Sequence, residues 1–274
     1  MTDAIDEKNF SASVPLVEMR GIHKRYGGVH ALQGAELTIY PAEIHGLLGD
    51  NAAGKSTLIK ILSGAVTRDS GEIFFDGKPA HIANPRDAKA LGVETVYQDL
   101  ALADNLDVAS NLFLGREICH GGFGRLFLNV RRMEKEAVSL LNRLRINIPD
   151  IKQRVHNMSG GQRQCVAIAR SVYFNARVII LDEPTAALGV RETEKVFTLV
   201  REMRAQGHSV LMISHNLNHV FEVCDRVTVM KTGRIAGTRA IGETDKEEVI
   251  TMIMTGASSS ARTGTAGGME TAYA

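Results

Sequence analysis

Cysteine, net charge and long apolar runs are all scarce in this chain of 274 residues. Only three cysteines occur, Cys119, Cys165 and Cys224, far apart and without a CxxC pair. That excludes a disulfide framework and points to reduced thiols in a reducing compartment. The nine histidines include no HExxH and no cluster with cysteine, so no structural metal is expected. Lys and Arg number 32 against 31 Asp and Glu, a net charge of +1. So even a balance gives no overall field toward nucleic acid, which is not expected as a partner. No uncharged apolar stretch approaches the ~18 residues of a membrane span. The first 14 residues are polar and mixed in charge, unlike a secretory leader. Any membrane role must come through a partner.

What is present is globular material, 44% apolar and 23% charged. A chain of this length buries enough apolar surface to need no crosslink. Residues 1–14 are polar, and residues 257–274 are dominated by Ser, Gly, Thr and Ala, so both ends are expected to be disordered. One domain is expected over residues 15–256. Residues 16–19 and 35–40 alternate apolar with polar, as half-exposed strands do. Residues 43–48 lead into a glycine-bearing loop. Leu58, Ile61 and Leu62 then share one face of a helix that Gly64 is placed to stop. Met133, Ala137, Leu140, Leu141 and Leu144 recur at helical spacing, and a helical subdomain is expected over about residues 100–176. Residues 178–181 and 210–213 are short continuous apolar runs followed by helical patterns, which suits strands of a mostly parallel sheet buried on both faces. Near the end, Thr244 and Glu247 read as a capping box, and Gly256 as the stop of the last helix. The fold class is α/β.

Gly49-Asp50-Asn51-Ala52-Ala53-Gly54-Lys55-Ser56 fits G-x-x-x-x-G-K-[ST], with Thr57 directly behind it. Glycines at both ends let the backbone wrap so that successive N–H groups point at phosphate oxygens. The helix beginning near Lys55 adds its positive end. Lys55 supplies a charge for the β- and γ-phosphates, and Ser56 an oxygen for Mg²⁺. Further on, Asp182 and Glu183 end an apolar run, the edge at which α/β sheets bind ligands. Alone, such a pair usually starts a helix. Beside a complete phosphate loop it reads as a metal ligand, Asp182, and a general base, Glu183.

Ser159-Gly160-Gly161-Gln162, opening a helix shortly before the strand that ends in Asp182-Glu183, resembles the signature motif of ABC ATPases. Tyr26 resembles the aromatic that stacks on adenine, Gln98 the Q-loop glutamine, and His215 the switch histidine. Six elements in family order span Tyr26 to His215. The resemblance implies a P-loop NTPase core with a mostly parallel sheet, an N-terminal antiparallel β subdomain and an inserted helical subdomain. It implies ATP and Mg²⁺ as ligands, the metal held by Ser56, Gln98 and Asp182. It also implies a head-to-tail dimer in which each ATP lies between one copy's phosphate loop and the other's Ser159 and Gly161. Glu183, His215 and Gln98 would then carry catalysis. Permease subunits would be the membrane partners and a solute-binding protein an indirect one, with the chain at the cytoplasmic face of the inner (plasma) membrane.

Three residues depart from the family pattern. Ala52 stands where glycine is frequent, a change expected to be mild. Met158 replaces the usual leucine at little cost. Gly189 stands where many members have the D-loop aspartate. Residues 92–98, 111–117, 184–193, 214–216 and 252–256 resemble bacterial monosaccharide importers of the ribose, xylose, galactose and fructose group, most of all the fructose type. An importer for another solute, such as an amino acid, is the alternative. The coiled coil of chromosome-type members, the charged linker of translation-type members and a missing base at position 183 are all absent from this sequence.

Overall fold

The computed structural model describes residues 14–121, 127–174 and 176–257. Of the ends expected to lack order, all but Val14 and Ala257 lie outside the described residues. The early alternation of apolar and polar residues belongs to one long hairpin. Strand β1 (Val17–Tyr26) runs antiparallel to β2 (Val29–Ile39), and Gly27 turns the chain at φ 56. Register shifts around Ile22 and Lys24 break the period of two in mid-strand, so only residues 16–19 and 35–40 read as strand in the sequence.

Strand β3 (Ile44–Gly49) then leaves this layer, and helix α1 (Lys55–Leu62) follows its loop. The chain returns as β4 (Ser70–Phe75) and β5 (Lys78–Pro79), closing an antiparallel sheet of order β2-β1-β4-β5. Its inner face buries Val17, Met19, Ile22, Leu37, Ile39 and Ile73 against Leu58, Ile61 and Leu62 of α1.

Helix α2 (Pro85–Ala90) precedes β6 (Val93–Val96). Helices α3 (Val108–Phe113), α4 (Val130–Arg143) and α5 (Gly160–Tyr173) come next, before β7 (Val178–Asp182). Met133, Ala137, Leu140 and Leu141 of α4 pack with Leu112 and Phe113 of α3 and with α5. Phe113 meets Tyr173 edge-on at 4.6 Å. The chain continues through α6 (Val190–Ala205), β8 (Ser209–Ile213), α7 (Leu217–Val223), β9 (Arg226–Lys231), β10 (Arg234–Ala240) and α8 (Lys246–Thr255).

The second sheet has the order β10-β9-β3-β8-β7-β6, parallel throughout except for the β10–β9 pair. Every residue of β8 is buried, and so is β7 as far as Leu181. That accounts for continuous apolar runs where a half-exposed strand would alternate. Inside the sheet a polar chain ties β3 to its neighbours. His45 lies 2.9 Å from the Glu43 carboxylate and 2.8 Å from Thr228 Oγ1, which meets Thr238 Oγ1 at 2.8 Å.

The start of α8 differs from expectation by one residue. Asp245 is the N-cap and accepts the Glu248 N–H at 2.8 Å, while the Thr244 hydroxyl donates to the Glu248 carboxylate at 2.7 Å. Gly256 ends the helix in the left-handed conformation at φ 73. Among the described residues no helix is long and apolar enough to cross a membrane.

Candidate functional site

Strands β3, β8, β7 and β6 are consecutive parallel neighbours, so their C-terminal ends share one edge of the sheet. The loops leaving that edge carry the phosphate loop, His215, Asp182 with Glu183, and Gln98. Topology alone therefore gathers residues spread over more than 160 positions of sequence.

The loop from Gly49 to Ser56 has the shape its glycines dictate. Gly49 (φ 150) has so little room that a Cβ would lie 2.3 Å from the Met230 carbonyl oxygen. At Gly54 (φ 106) a Cβ would lie 2.7 Å from the Ala31 carbonyl oxygen of β2. The same contact sets the strand after Tyr26 against the loop. Ala52 takes an uncommon backbone conformation. It is held at φ 66, a left-handed conformation that costs a non-glycine residue roughly 1–2 kcal/mol, so the replacement carries backbone strain. Lys55 opens α1 and folds back to donate to the carbonyl oxygens of Gly49 at 2.6 Å and Asp50 at 3.0 Å. Ser56 is exposed in the first helical turn.

Charge is arranged tightly at this edge. Burial lowers the pKa of Lys55, while Glu183, Asp50 and Asp182 oppose that shift. Asp182 is raised by burial and then by Glu183, with Lys55 and Lys60 pulling the other way. The result is a carboxylate whose charge burial disfavours, electrostatically coupled to a partly desolvated lysine. Such a site accommodates a cation on one side and phosphate oxygens on the other.

Glu183 also stands in the left-handed region, at φ 51, with its N–H donating to Ile213 O of β8 at 3.0 Å. Its carboxylate lies 2.8 Å from His215 Nδ1, with Glu183 largely buried and His215 69% exposed. The two expected members of the hydrolytic pair are thus in direct contact. A cleft of about 450 Å³ is lined by both, together with Thr185, Asn216, His219 and Phe197. His219 was not anticipated from the sequence. Its only signal there is its place one helical turn beyond Asn216.

Tyr26 ends β1 and is 47% exposed, with Lys24 Nζ 5.7 Å from its ring centroid. Gln98 is exposed in the loop after β6. Neither makes a hydrogen bond or ion pair with the phosphate loop.

The Ser159 turn is organised separately. Ser159 caps α5 in a reciprocal box, its Oγ accepting the Gln162 N–H at 3.3 Å and its N–H donating to Gln162 Oε1 at 3.0 Å. Gly161 N–H donates to Glu192 Oε1 of α6 at 3.3 Å. Hydrogen bonds from the Ser159 side chain and then from Gly161 hold the Glu192 carboxyl below its usual range. A Cβ on Gly161 would sit 2.8 Å from that of Glu192, and one on Gly160 would sit 3.4 Å from Leu188. This turn faces a cavity of about 410 Å³ that includes Glu192 and Lys195 and none of Lys55, Asp182 or His215. Gly189 is the N-cap of α6 at φ −72, with no side chain to cap it.

The sequence profile described as "ABC transporter" matches residues 32–186. The xylose/arabinose import ATP-binding protein XylG of Sulfolobus acidocaldarius is 48% identical over 240 residues, covering 88% of this chain and 94% of that one. The fructose import ATP-binding protein FrcA of Rhizobium meliloti is 49% identical over 227 residues, covering 81% and 87%. The ADP conformation of MJ1267, an ATP-binding cassette of an ABC transporter, superposes with a TM-score of 0.75 at 26% identity, covering 89% and 96%.

Proposed function

The chain belongs to the ABC transporter family, and from that premise we propose that it is the ATP-hydrolysing subunit of a monosaccharide importer. The observation that supports sugar as cargo most strongly is near-half identity to xylose/arabinose and fructose import subunits over most of their lengths. That likeness favours a sugar over the amino-acid alternative.

In this reading the loop N–H groups and Lys55 cradle the triphosphate, and Thr57 backs the cradle from the first turn of α1. Tyr26 stacks on the adenine. Ser56, Asp182 and Gln98 would hold Mg²⁺. The glycine cradle that no Cβ could enter and the Asp182 carboxylate, whose charge burial and then Glu183 disfavour in the absence of a bound cation, both fit that ligand pair. The ion, when bound, neutralises phosphate charge. Glu183 accepts the proton of the attacking water, and His215, whose Nδ1 lies 2.8 Å from that carboxylate, steadies the γ-phosphate and that water. Ser159 and Gly161 meet the γ-phosphate of a second copy, with Gly160 and Gln162 shaping the turn. Gln98 and the helices between β6 and β7 face permease subunits at the cytoplasmic side of the inner membrane, and a solute-binding protein supplies specificity from outside.

Two measurements test this. The purified subunit should bind no monosaccharide and show an ATPase rate indifferent to sugar, yet the same sugar should stimulate hydrolysis once permease and binding protein are reconstituted with it. Deletion of the gene should abolish uptake of one or a few pentoses or hexoses, fructose and ribose first. Normal uptake of every monosaccharide with loss of amino-acid uptake would overturn the cargo and leave the ATPase standing.

A further inference from the structure

Beside the Glu183–His215 pair lies a third side chain that the hydrolysis scheme leaves unused. Both ring nitrogens of His219 are engaged: Nδ1 lies 3.0 Å from Thr185 Oγ1, and Nε2 lies 3.1 Å from Asn216 Nδ2. The partners fix the tautomer. Asn216 Oδ1 already accepts the Asn218 N–H at 3.0 Å, so the amide presents its NH₂ to the ring. An NH₂ group only donates here, so Nε2 accepts, and Nδ1 carries the proton and donates to Thr185. Phe197 of α6 sets the plane of the ring, edge-on at 5.3 Å.

What these partners are attached to gives the contact its meaning. Thr185 is buried two residues past Glu183, in a turn closed by Ala186 N–H on Glu183 O at 3.3 Å and Leu188 N–H on Thr185 O at 3.2 Å. Asn216 directly follows His215 and caps α7. Among the described residues, neither the Glu183 nor the His215 side chain makes any hydrogen bond or ion pair except with the other. Their mutual geometry therefore depends on how the two loops are held. Glu183 adds a demand of its own, because a left-handed non-glycine residue persists only where its surroundings enforce it.

We infer that His219 is a positioning residue for ATP hydrolysis: it ties the turn after Glu183 to the turn after His215 and so keeps the base and the switch histidine in register. Imidazole suits the task because it offers one donor and one acceptor at fixed separation on a rigid ring. Serine or asparagine is too short to reach both loops, and lysine can only donate. The inference rests on the assignment of Glu183 and His215 as the hydrolytic pair.

His219→Phe keeps a ring against Phe197 and removes both nitrogens, while Thr185→Val removes the acceptor with little change of shape. Each should lower kcat for ATP about tenfold, the scale expected of a small misplacement at a reacting centre. The dissociation constant for a fluorescent ATP analogue should stay unchanged. The double variant should fall no further than either single one, since both cut the same link. His219→Gln, which restores a donor and an acceptor, should recover part of the rate. Should His219→Phe not fold, Thr185→Val carries the test alone. A kcat within twofold of the parent for either folded variant overturns the positioning role. So does a loss confined to ATP affinity, or two losses that multiply in the double variant. A parent protein that hydrolyses ATP equally well as Glu183→Gln would instead remove the assignment on which the inference stands.

Discussion

Glu183 occupies a backbone conformation that side chains rarely hold (φ 51), next to an aspartate whose charge burial disfavours. Both features run against local stability, and both fall on residues assigned to chemistry, where strain of this kind collects. The geometry suits a base: the carboxylate meets His215 at 2.8 Å in a cleft open to solvent. Glutamine at this position keeps shape and hydrogen bonding and cannot accept a proton. Glu183→Gln should therefore bind ATP as the parent does and hydrolyse it about 10²–10⁴ times more slowly. Steady-state ATPase assays paired with nucleotide binding check this, and a parental rate would mean that another group is the base. Residues such as Lys55, Asp182 and Glu183 are legible in the sequence because their spacing is dictated by a short loop or a strand end. His219 is not legible in that way. Its partner Thr185 lies 34 positions away on another loop, and a lone histidine in a short helix carries no periodic signal.

Elements show the same division. Strands β7 and β8 and helix α4 are readable because burial writes a continuous apolar run or a 3.6-residue stripe. Strand β1 is readable only at its start, since its bulges scramble the alternation beyond Met19. The cap of α8 falls between two registers, because Thr244 with Glu247 and Asp245 with Glu248 satisfy the same pattern. The structure selects Asp245, whose carboxylate reaches an amide, and uses the Thr244 hydroxyl to hold Glu248. The loop between β3 and α1 shows a feature the sequence does not reveal, a strained alanine. Ala52 sits at φ 66 and is exposed, so its methyl group gains no packing to offset the left-handed conformation. Ala52→Gly removes that cost but gains entropy in the unfolded chain, an opposing effect of about 0.4–1 kcal/mol. The net should be a stabilisation of about 0.5 kcal/mol, or roughly 1–2 °C in Tm for a chain of this size. Urea titration and thermal melts of the two proteins decide it, and a lower midpoint for the glycine variant would show that the alanine is accommodated without strain.

At the scale of the whole molecule, the two halves of the proposed site line different cavities. Lys55, Asp182, Glu183 and His215 gather at the carboxyl edge of the parallel sheet. The Ser159 turn opens onto a separate cavity, its Gly161 N–H and Ser159 side chain engaged by Glu192 of the same chain. Among the described residues no hydrogen bond or ion pair joins the Ser159 turn to the phosphate loop of the same chain, and the proposed head-to-tail pairing with a second copy would complete each site. That pairing has an arithmetic consequence. A Lys55→Ala subunit has a damaged phosphate loop and an intact turn, and a Ser159→Arg subunit the reverse. In a mixed dimer the intact loop of one faces the intact turn of the other, so one of the two sites is whole. With random exchange half of the dimers are mixed, and if sites act independently the mixture should recover about a quarter of the parental ATPase rate from two inactive proteins. Affinity tags of two kinds would confirm that mixed dimers form, and the purified mixed fraction should show about half of the parental rate. Mixed dimers that remain inactive would rule out sharing across the interface and require Ser159 to reach a phosphate in its own chain.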